Sequence, residues 1–343
     1  MLYVTTRNSS DMFTAFRALS ESRGPDGGFY IPYKLTPFSR EEVLSLAQFS
    51  SNQRIVRILE RFLGIRLSET FLDLHIGRYP VQLSTMGYRI GVGEIWHNCD
   101  SHFRRLVEDI GSMLQLKENR HTPLLELVVR VATLFALYGE MLHGGHLDTE
   151  DPFDVSVVSG NFFGPLSAWY ARELGLPVEN IICCCNENNG LWNLIYHGEL
   201  RTDTVCVNTI VPEADVTVPD GLECLIRTCC GSQEVQHYLE SIRAGRMYCP
   251  DNNFESLRKG FHVSVISDGA ILRAIPNVFS TSGTVLAPSG ALAYSGLLDY
   301  RSRTGESRFG LVITERGPQT DIGNLARSFC VSPSEVREWL KKM

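Results

Sequence analysis

The sequence has 343 residues, of which 43% are hydrophobic and 21% are charged, and its formal net charge is −7. This composition is typical of a soluble globular protein with one large or two ordinary domains. An acidic chain lacks the basic surface that nucleic acid and anionic lipid require, so we expect neither nucleic-acid nor membrane binding. The chain also begins without the pattern of a signal peptide, which predicts a cytoplasmic protein.

The chain contains ten cysteines, at positions 99, 183, 184, 185, 206, 224, 229, 230, 249 and 330. None of them forms the paired Cys-x-x-Cys spacing of metal sites. Because no export signal is seen, we interpret them as reduced thiols that fill core positions.

The first third of the chain predicts local elements in a clear order. Residues 2–5 favour a strand, residues 11–20 an amphipathic helix, and residues 24–32, G-P-D-G-G-F-Y-I-P, a turn that leads into an extended segment. The long apolar stretch at residues 124–142 is interrupted by charged residues, so it predicts a buried helix rather than a membrane span.

A candidate phosphate site lies in the middle of the chain. The short apolar run at residues 155–158 predicts a strand, a small-residue turn follows, and Pro165 suits the first turn of a helix. Unpaired N–H groups at such a helix start favour an anion, although a purely structural turn is the alternative. The predicted phosphate-binding residues are Ser159, Gly160, Asn161, Phe162, Phe163 and Gly164.

Several stretches together resemble the threonine synthase family. They are the turn at residues 24–32, S-G-N-F-F-G at 159–164, G-L-P at 175–177 and N-E-N-N at 186–189, in the family's order and at similar distances. The resemblance implies an α/β fold with an open, mostly parallel sheet of the tryptophan synthase beta-like kind, which is fold type II of the pyridoxal-phosphate (PLP) enzymes. It also implies a lyase of amino-acid biosynthesis that converts O-phosphohomoserine to threonine, and a possible homodimer.

The resemblance divides the chain into three parts. Residues 1–85 match the family's amino-terminal region and residues 86–320 its large domain. Residues 321–343 form a tail of two short amphipathic helices, the second capped by Ser332. The tail is a packing element or a site for partner recognition.

The segment that should carry the chemistry departs from the family at its central residue. Residues 93–106, G-E-I-W-H-N-C-D-S-H-F-R-R-L, resemble the family's E-L-F-H-G-P-T-L-A-F-K-D-F, and Arg104 then stands at the position of the Schiff-base lysine. An arginine stays protonated and cannot form an imine. The chain has only five lysines, and Lys117 lies roughly 20 Å further along if the helix continues. We therefore expect no covalently bound cofactor, and the sequence leaves noncovalent PLP binding open.

Further departures concern the cleft around the cofactor. Only about fifty residues separate Arg104 from Val155, so we expect the family's small mobile domain and its S-G-D-T-G loop to be deleted. Phe163 replaces a cradle glycine, and Gly290 stands where the family has a threonine near the pyridine nitrogen. Ser289 is a partial replacement for that threonine.

Other candidate site residues follow from the resemblance and from local clustering. The resemblance implies a ligand cleft lined by Asn186, Glu187, Asn188, Asn189 and Ser289. His97 and Cys99, close to Arg104, are a nucleophile pair, a metal site or inherited structure. The H-G-G-H loop at residues 143–146 is a polar loop or a metal site, and we expect no metal.

Three hypotheses for function follow. The first is a pseudoenzyme that has lost PLP-dependent catalysis and binds a small phosphorylated ligand or a protein partner. The second is a repurposed enzyme that uses Arg104, His97, Cys99 and residues 186–189 on a phosphorylated substrate, with Arg104 as the anion holder. The third is a threonine synthase that works without the lysine.

Overall fold

The computed structural model describes residues 1–68, 70, 72–73, 81–96, 102–116, 121–250, 255 and 258–342. The chain begins with a small antiparallel sheet of three strands, β1 (Leu2–Thr5), β2 (Phe13–Thr14) and β3 (Tyr30–Pro32), in the order β2-β1-β3. The helices α1 (Ala15–Ser20), α2 (Arg40–Leu46) and α3 (Ser51–Leu63) complete this region.

The first helix is shorter than predicted. Phe13 and Thr14 pair with β1 as a strand, and the ring of Phe13 packs edge-on against Tyr30, with ring centroids 5.2 Å apart. Helix α1 begins only at Ala15, where the Thr14 side chain accepts a hydrogen bond from the backbone N–H of Arg17. Burial of Phe13 in the small sheet therefore overrides the helical pattern of residues 11–14.

The centre of the molecule is a six-stranded sheet in the order β4-β5-β9-β6-β7-β8. Its strands are β4 (Gln82–Met86), β5 (Ile90–Glu94), β6 (Phe153–Val158), β7 (Val178–Cys185), β8 (Phe261–Val265) and β9 (Phe309–Thr314). Only the β4–β5 hairpin at one edge is antiparallel, and the other neighbours pair in parallel. The predicted fold class, an α/β chain with a mostly parallel sheet, is confirmed.

Helices cover both faces of this sheet, as expected for parallel strands. The remaining helices are α4 (Phe103–Met113), α5 (Pro123–His143), α6 (Phe163–Glu173), α7 (Gly190–His197), α8 (Leu222–Cys230), α9 (Ser232–Arg243), α10 (Asp268–Ser282) and α11 (Pro288–Thr304), followed by α12 (Ile322–Phe329) and α13 (Pro333–Lys342). Helices α5 and α6 belong to the apolar cluster on one face, whereas α10 and α11 belong to the cluster on the other.

Helix α5 is the predicted apolar helix and is buried around most of its circumference. Together with α4 and the adjoining loops, it makes up the described part of the connection between Arg104 and β6. In that part of the connection no separate small domain occurs. Among the described residues, no helix combines the length and the apolar character needed to span a bilayer.

The two helices of the tail are formed as predicted. Helix α12 ends at Phe329, α13 begins at Pro333, and the Ser332 hydroxyl accepts a hydrogen bond of 3.3 Å from the backbone N–H of Glu335. The rings of Phe279, Phe329 and Trp339 form two edge-to-face contacts that hold the tail against α10.

The three consecutive cysteines at the end of β7 show how closely the helices pack against the sheet. Cys183 and Cys185 face the α5–α6 side of the sheet and Cys184 faces α11, because successive side chains of a strand alternate. A Cβ atom added to Gly296 of α11 would lie 2.2 Å from the Cys184 sulfur. The described cysteines, nine in number, are all free thiols.

We expect Gly296→Ala to lower the free energy of unfolding by about 1–3 kcal/mol, because the added methyl group overpacks the contact with Cys184. Gly323→Ala is the matched control, since Gly323 lies exposed in α12 with no atom near its missing Cβ, and it should stabilise by about 0.5–1 kcal/mol. Urea unfolding of the two variants measures both effects. Equal stabilisation by both variants would contradict the close packing of α11 on β7.

Candidate functional site

A cavity of about 560 Å³ opens at the carboxyl edge of the parallel strands. The ends of β6 and β9, the starts of α5, α6 and α11, and the loop before β3 supply its walls. The carboxyl edge is the usual position of ligand sites in open α/β sheets. The cavity is therefore the candidate site.

The predicted phosphate cradle forms one wall of this cavity. Gly160 has a φ of 40°, and a Cβ atom at this position would lie 2.7 Å from the backbone oxygen of Glu213, so the close approach requires glycine. Phe162 follows with a φ of 71°, and its ring is fully buried against Phe261. The tight turn aims the backbone at the cavity, and helix α6 begins directly after it.

The cradle keeps several backbone donors open. In the described part of the chain, four backbone N–H groups of the turn donate to no protein acceptor: those of Gly160, Asn161, Phe163 and Gly164. The side chain of the residue before the helix gives no cap either. Open N–H groups and the positive end of the helix dipole together favour an anion at this point.

Phe163 does not fill the cradle. Its side chain is buried, and its ring packs edge-on against Phe29 with centroids 5.7 Å apart. The backbone N–H of Phe163 stays available although a large side chain replaces the family's glycine.

Two serine hydroxyls line the cavity beside the cradle. The Cys185 thiol donates to Ser159 Oγ at 3.1 Å, and burial raises the pKa of Cys185 to about 11, partly offset by this hydrogen bond, so the thiol stays protonated. Ser159 can therefore donate its own proton to a ligand. Ser289 is 5% exposed, and its hydroxyl has no hydrogen-bond partner within the described structure, which marks a polar position that a ligand could satisfy.

A buried ionic cluster forms another wall. Arg130 of α5 donates through Nε and Nη2 to both carboxylate oxygens of Glu315, each at 2.7 Å, and through Nη1 to Glu126 one helical turn earlier. Burial alone would lower the pKa of Arg130, but the two carboxylates outweigh it and hold the pKa above its usual range. Burial likewise works to raise the pKa of Glu126, yet Arg130 keeps that pKa below its usual range. Arg130 and Glu126 are therefore both charged at neutral pH.

His102 lies at the cavity just before α4. Burial and then the nearby Arg316 lower its pKa, so the imidazole is neutral at neutral pH. Its Nδ1 accepts a hydrogen bond of 3.1 Å from the backbone N–H of Arg104, which places the proton on Nε2. His102 therefore caps the helix and offers one neutral donor.

Arg104 itself does not line the cavity. Its side chain is 63% exposed and forms an ion pair of 2.9 Å with Glu108 on the same helix. His97 and Cys99 lie outside the described residues, so their predicted roles stay predictions. The structure brings Arg104 close to the site through its backbone only.

The asparagine cluster is buried next to the cavity but not in its wall. Asn186 donates to Thr209 and Asp215 at 2.8 and 2.7 Å, and its carbonyl accepts from the backbone N–H of Asn188. The Asn188 side-chain amide donates to the backbone oxygen of Val207 and accepts from the backbone N–H of the same residue. Glu187 and Asn189 are exposed. The cluster fastens a loop, and a role in ligand binding stays a prediction.

The two histidines of the H-G-G-H loop contact protein side chains. His143 lies 3.1 Å from the guanidinium of Arg54, and the ring of His146 stacks near Phe309. Among the described residues, no group of three or more His, Cys, Asp or Glu side chains could hold a metal ion.

Sequence reasoning missed the charged part of the cavity. Arg130 and Glu126 were visible as an i, i+4 charge pair inside an apolar helix, which is the signal that could have marked them. Glu315 and Arg316 carried no such signal, because they reach the site only through the position of β9 in the sheet.

Comparisons with known proteins agree with this fold. The sequence model of the family described as threonine synthase N terminus matches residues 2–78. Human threonine synthase-like 1 is 25% identical over 230 residues, which are 60% of this chain and 30% of that protein. Threonine synthase from Pseudomonas aeruginosa is 29% identical over 140 residues, or 40% of this chain and 30% of that protein. The chain thus spans about 30% of the length of these relatives.

Solved structures show the same architecture. PLP-bound threonine synthase from Brucella melitensis superposes with a TM-score of 0.82 at 15% identity, over 96% of this chain and 91% of that chain. Yeast threonine synthase gives a TM-score of 0.82 at 12% identity, over 96% and 90%. The fold is therefore that of the type II PLP enzymes. The chain is therefore threonine synthase-like in its matched segments and in its fold, in agreement with the resemblance of its motifs.

The fold implies PLP, and the cavity fits only part of that cofactor. The open N–H groups of the cradle and the unpartnered Ser289 hydroxyl suit a phosphate and a polar ring atom. In contrast, no lysine occurs among the described residues of the wall. Four lysines, at positions 34, 259, 341 and 342, are exposed elsewhere, and Lys117 lies outside the described residues. The described residues thus fit a phosphorylated group but supply no amine for a covalent link.

Glu94, at the carboxyl end of β5, is expected to make stability pH-dependent. Burial raises its pKa from 4.5 to about 7. The folded protein then holds a proton that the unfolded chain releases between these values, so stability falls as pH rises through this window. We expect Glu94→Gln to remove that fall and to be more stable than the wild type by roughly 3 kcal/mol above pH 7.

Chemical denaturation at a series of pH values measures this difference. Near pH 4 both proteins carry an uncharged side chain at position 94, so their stabilities should converge there. A constant difference across the whole range would show that the pKa of Glu94 is not raised.

Proposed function

We propose that this protein binds a small phosphorylated ligand noncovalently in the cavity and no longer carries out the PLP-dependent conversion of O-phosphohomoserine to threonine. The observation that carries the proposal is the combination of an open cradle with a wall whose described residues include no lysine. The phosphate would occupy the cradle, and the organic part would lie among the charged side chains.

The cradle supports phosphate binding through its backbone. Open N–H groups and the start of an eleven-residue helix act together on a negative group. The buried Ser159 hydroxyl accepts a hydrogen bond from the Cys185 thiol, so its own hydrogen is left to donate to the phosphate. A phosphate bound here would receive charge-assisted hydrogen bonds, which are the stronger kind.

Loss of the covalent step rests on side-chain chemistry. A guanidinium cannot act as the imine-forming nucleophile, and the Arg104 side chain points to Glu108 at the surface of α4. The step that begins the family's reaction therefore lacks its amine at this position. A threonine synthase that works without that lysine stays an alternative.

A repurposed enzyme acting on a phosphorylated substrate is the second candidate. The carboxylates of Glu213 and Glu315 line the cavity and are partly exposed, so they could accept a proton from a bound substrate. Release of inorganic phosphate from phosphate esters would favour this candidate over a pure binding protein. Cytoplasmic location, a homodimer and a protein partner remain proposals that follow from the family resemblance and the free thiols.

Asn161→Asp should weaken phosphate binding by roughly tenfold, because it adds a negative charge at the cradle. Asn161 is exposed and lines the cavity, so the change should leave the fold intact. Asn277→Asp is the matched control, since Asn277 is also exposed, in α10, but lies outside the cavity. Isothermal titration with inorganic phosphate measures both, and equal affinities in the two variants would place the phosphate elsewhere.

Wild-type protein and Arg104→Lys should both fail to form an imine with PLP in the cavity. The side chain at position 104 is exposed and faces Glu108, so even a lysine there would not reach the cradle. Borohydride reduction followed by peptide mass spectrometry locates any phosphopyridoxyl adduct. An adduct at Lys34 or Lys259 would be a surface reaction, and one at residue 104 of the variant would show that this side chain can reach the cavity. An adduct at Lys117 of the wild type would contradict the proposal.

A further inference from the structure

The charged wall of the cavity contains more carboxylates than guanidinium groups. Four carboxylates line the cavity, from Glu126, Glu213, Glu315 and Asp220, and three guanidinium groups do so, from Arg23, Arg130 and Arg316. With His102 neutral, one negative charge is in excess before any ligand enters.

Arg130 has the most buried of the three guanidinium groups, and it is not free to bind a ligand. Arg130 is buried, and its Nε, Nη1 and Nη2 atoms all donate to Glu126 or Glu315. Its guanidinium also lies 4.7 Å from the centre of the Phe103 ring. A ligand carboxylate could bind Arg130 only by displacing Glu126 or Glu315 into an already acidic wall.

The other two guanidinium groups are also held by carboxylates. Arg316 lies 3.5 Å from Glu213, and Arg23 lies 3.6 Å from Asp220 while stacking 3.9 Å from the centre of the Phe29 ring. These pairs are partly exposed and therefore weaker than the buried cluster. The carboxylates that they leave facing the cavity can only accept hydrogen bonds.

From this imbalance, and resting on the proposed function, we infer that the cavity selects phosphate monoesters whose organic part carries hydrogen-bond donors and no carboxylate. The cradle supplies donors to the phosphate, and the acidic wall supplies acceptors to ammonium or hydroxyl groups. An ammonium group would also offset part of the negative charge that the phosphate brings. A second carboxylate on the ligand would face like charges, which disfavour binding.

Two matched pairs of ligands test this selectivity. Phosphoethanolamine and O-phosphoserine differ by one carboxylate, and glycerol 3-phosphate and 3-phosphoglycerate differ by the oxidation of one hydroxymethyl group to a carboxylate. We expect the member without the carboxylate to bind about tenfold more tightly in each pair, as a like charge at this range implies. Isothermal titration of the purified protein measures all four, with inorganic phosphate as the reference for the cradle.

The outcomes separate the inference from the proposed function. Equal or tighter binding of O-phosphoserine and 3-phosphoglycerate, with inorganic phosphate bound, would overturn the inference and leave the cradle in place. Binding of inorganic phosphate with none of the four esters would overturn it too. Failure of all five ligands would overturn the proposed function itself. Tighter binding of phosphoethanolamine than of glycerol 3-phosphate would assign the selectivity to charge, and the reverse order to hydroxyl donors.

The variant Glu213→Gln tests the cause of the selectivity. It removes one carboxylate from the wall and releases Arg316, so the preference within each pair should fall to about threefold or less. Glu240→Gln is the matched control, because Glu240 is exposed in α9 outside the cavity, and it should keep the wild-type preference. An unchanged preference in Glu213→Gln, with wild-type affinity for inorganic phosphate, would contradict the acidic wall as its source.

Discussion

The ionic cluster of Arg130 with Glu126 and Glu315 is the interaction on which the cavity depends. It joins helix α5 to the residue that follows β9 across 185 positions of sequence. Desolvation of a guanidinium is costly, so the cluster is stable only because both carboxylates stay in place. Removal of one partner would leave a buried charge without full compensation, at a cost of about 3–5 kcal/mol. The wall is thus rigid, and its donors are already used.

The same cluster is the reason why we infer that the cavity disfavours a ligand with a carboxylate. The arginine that lies deepest in the wall is neutralised from within the protein rather than left for a ligand. Helix α5, which carries Arg130, is apolar around most of its surface and packs on α3 and α6. A buried helix of this kind cannot swing to expose the guanidinium without losing its packing. Helix α5 therefore holds Glu126 and Arg130 in place at the cavity.

The parts of the fold that could be predicted from sequence are those that local pattern determines. The strand, turn and helix around Gly160 occur as predicted, because a buried strand, a small-residue turn and Pro165 all indicate the same structure within a few residues. The tail helices follow for the same reason. Strand β9, which lies between β5 and β6, was not predicted, because its position depends on pairing with distant strands. The site residues Glu315 and Arg316 were missed with it.

In the asparagine cluster, the motif at residues 186–189 was recognised from sequence, but the contacts of its side chains could not be predicted. Asn186 and Asn188 bind Asp215, Thr209 and the backbone of Val207, and these partners come from a loop 19 to 29 positions away. The motif identified the family, whereas the hydrogen-bond geometry determines the local task of each amide.

The cradle and the covalent step differ in how easily sequence change removes them. Phosphate binding at the start of α6 depends on backbone N–H groups, which every residue except proline provides, so the large Phe163 can replace a glycine once its ring packs against Phe29. Imine formation depends on one amine within reach of the cofactor, and no described residue of the cavity wall supplies one. A protein of this fold can therefore lack the amine and still keep backbone donors for an anion. Under the proposed function, the charged wall is the part of the cavity that would distinguish one phosphate ester from another.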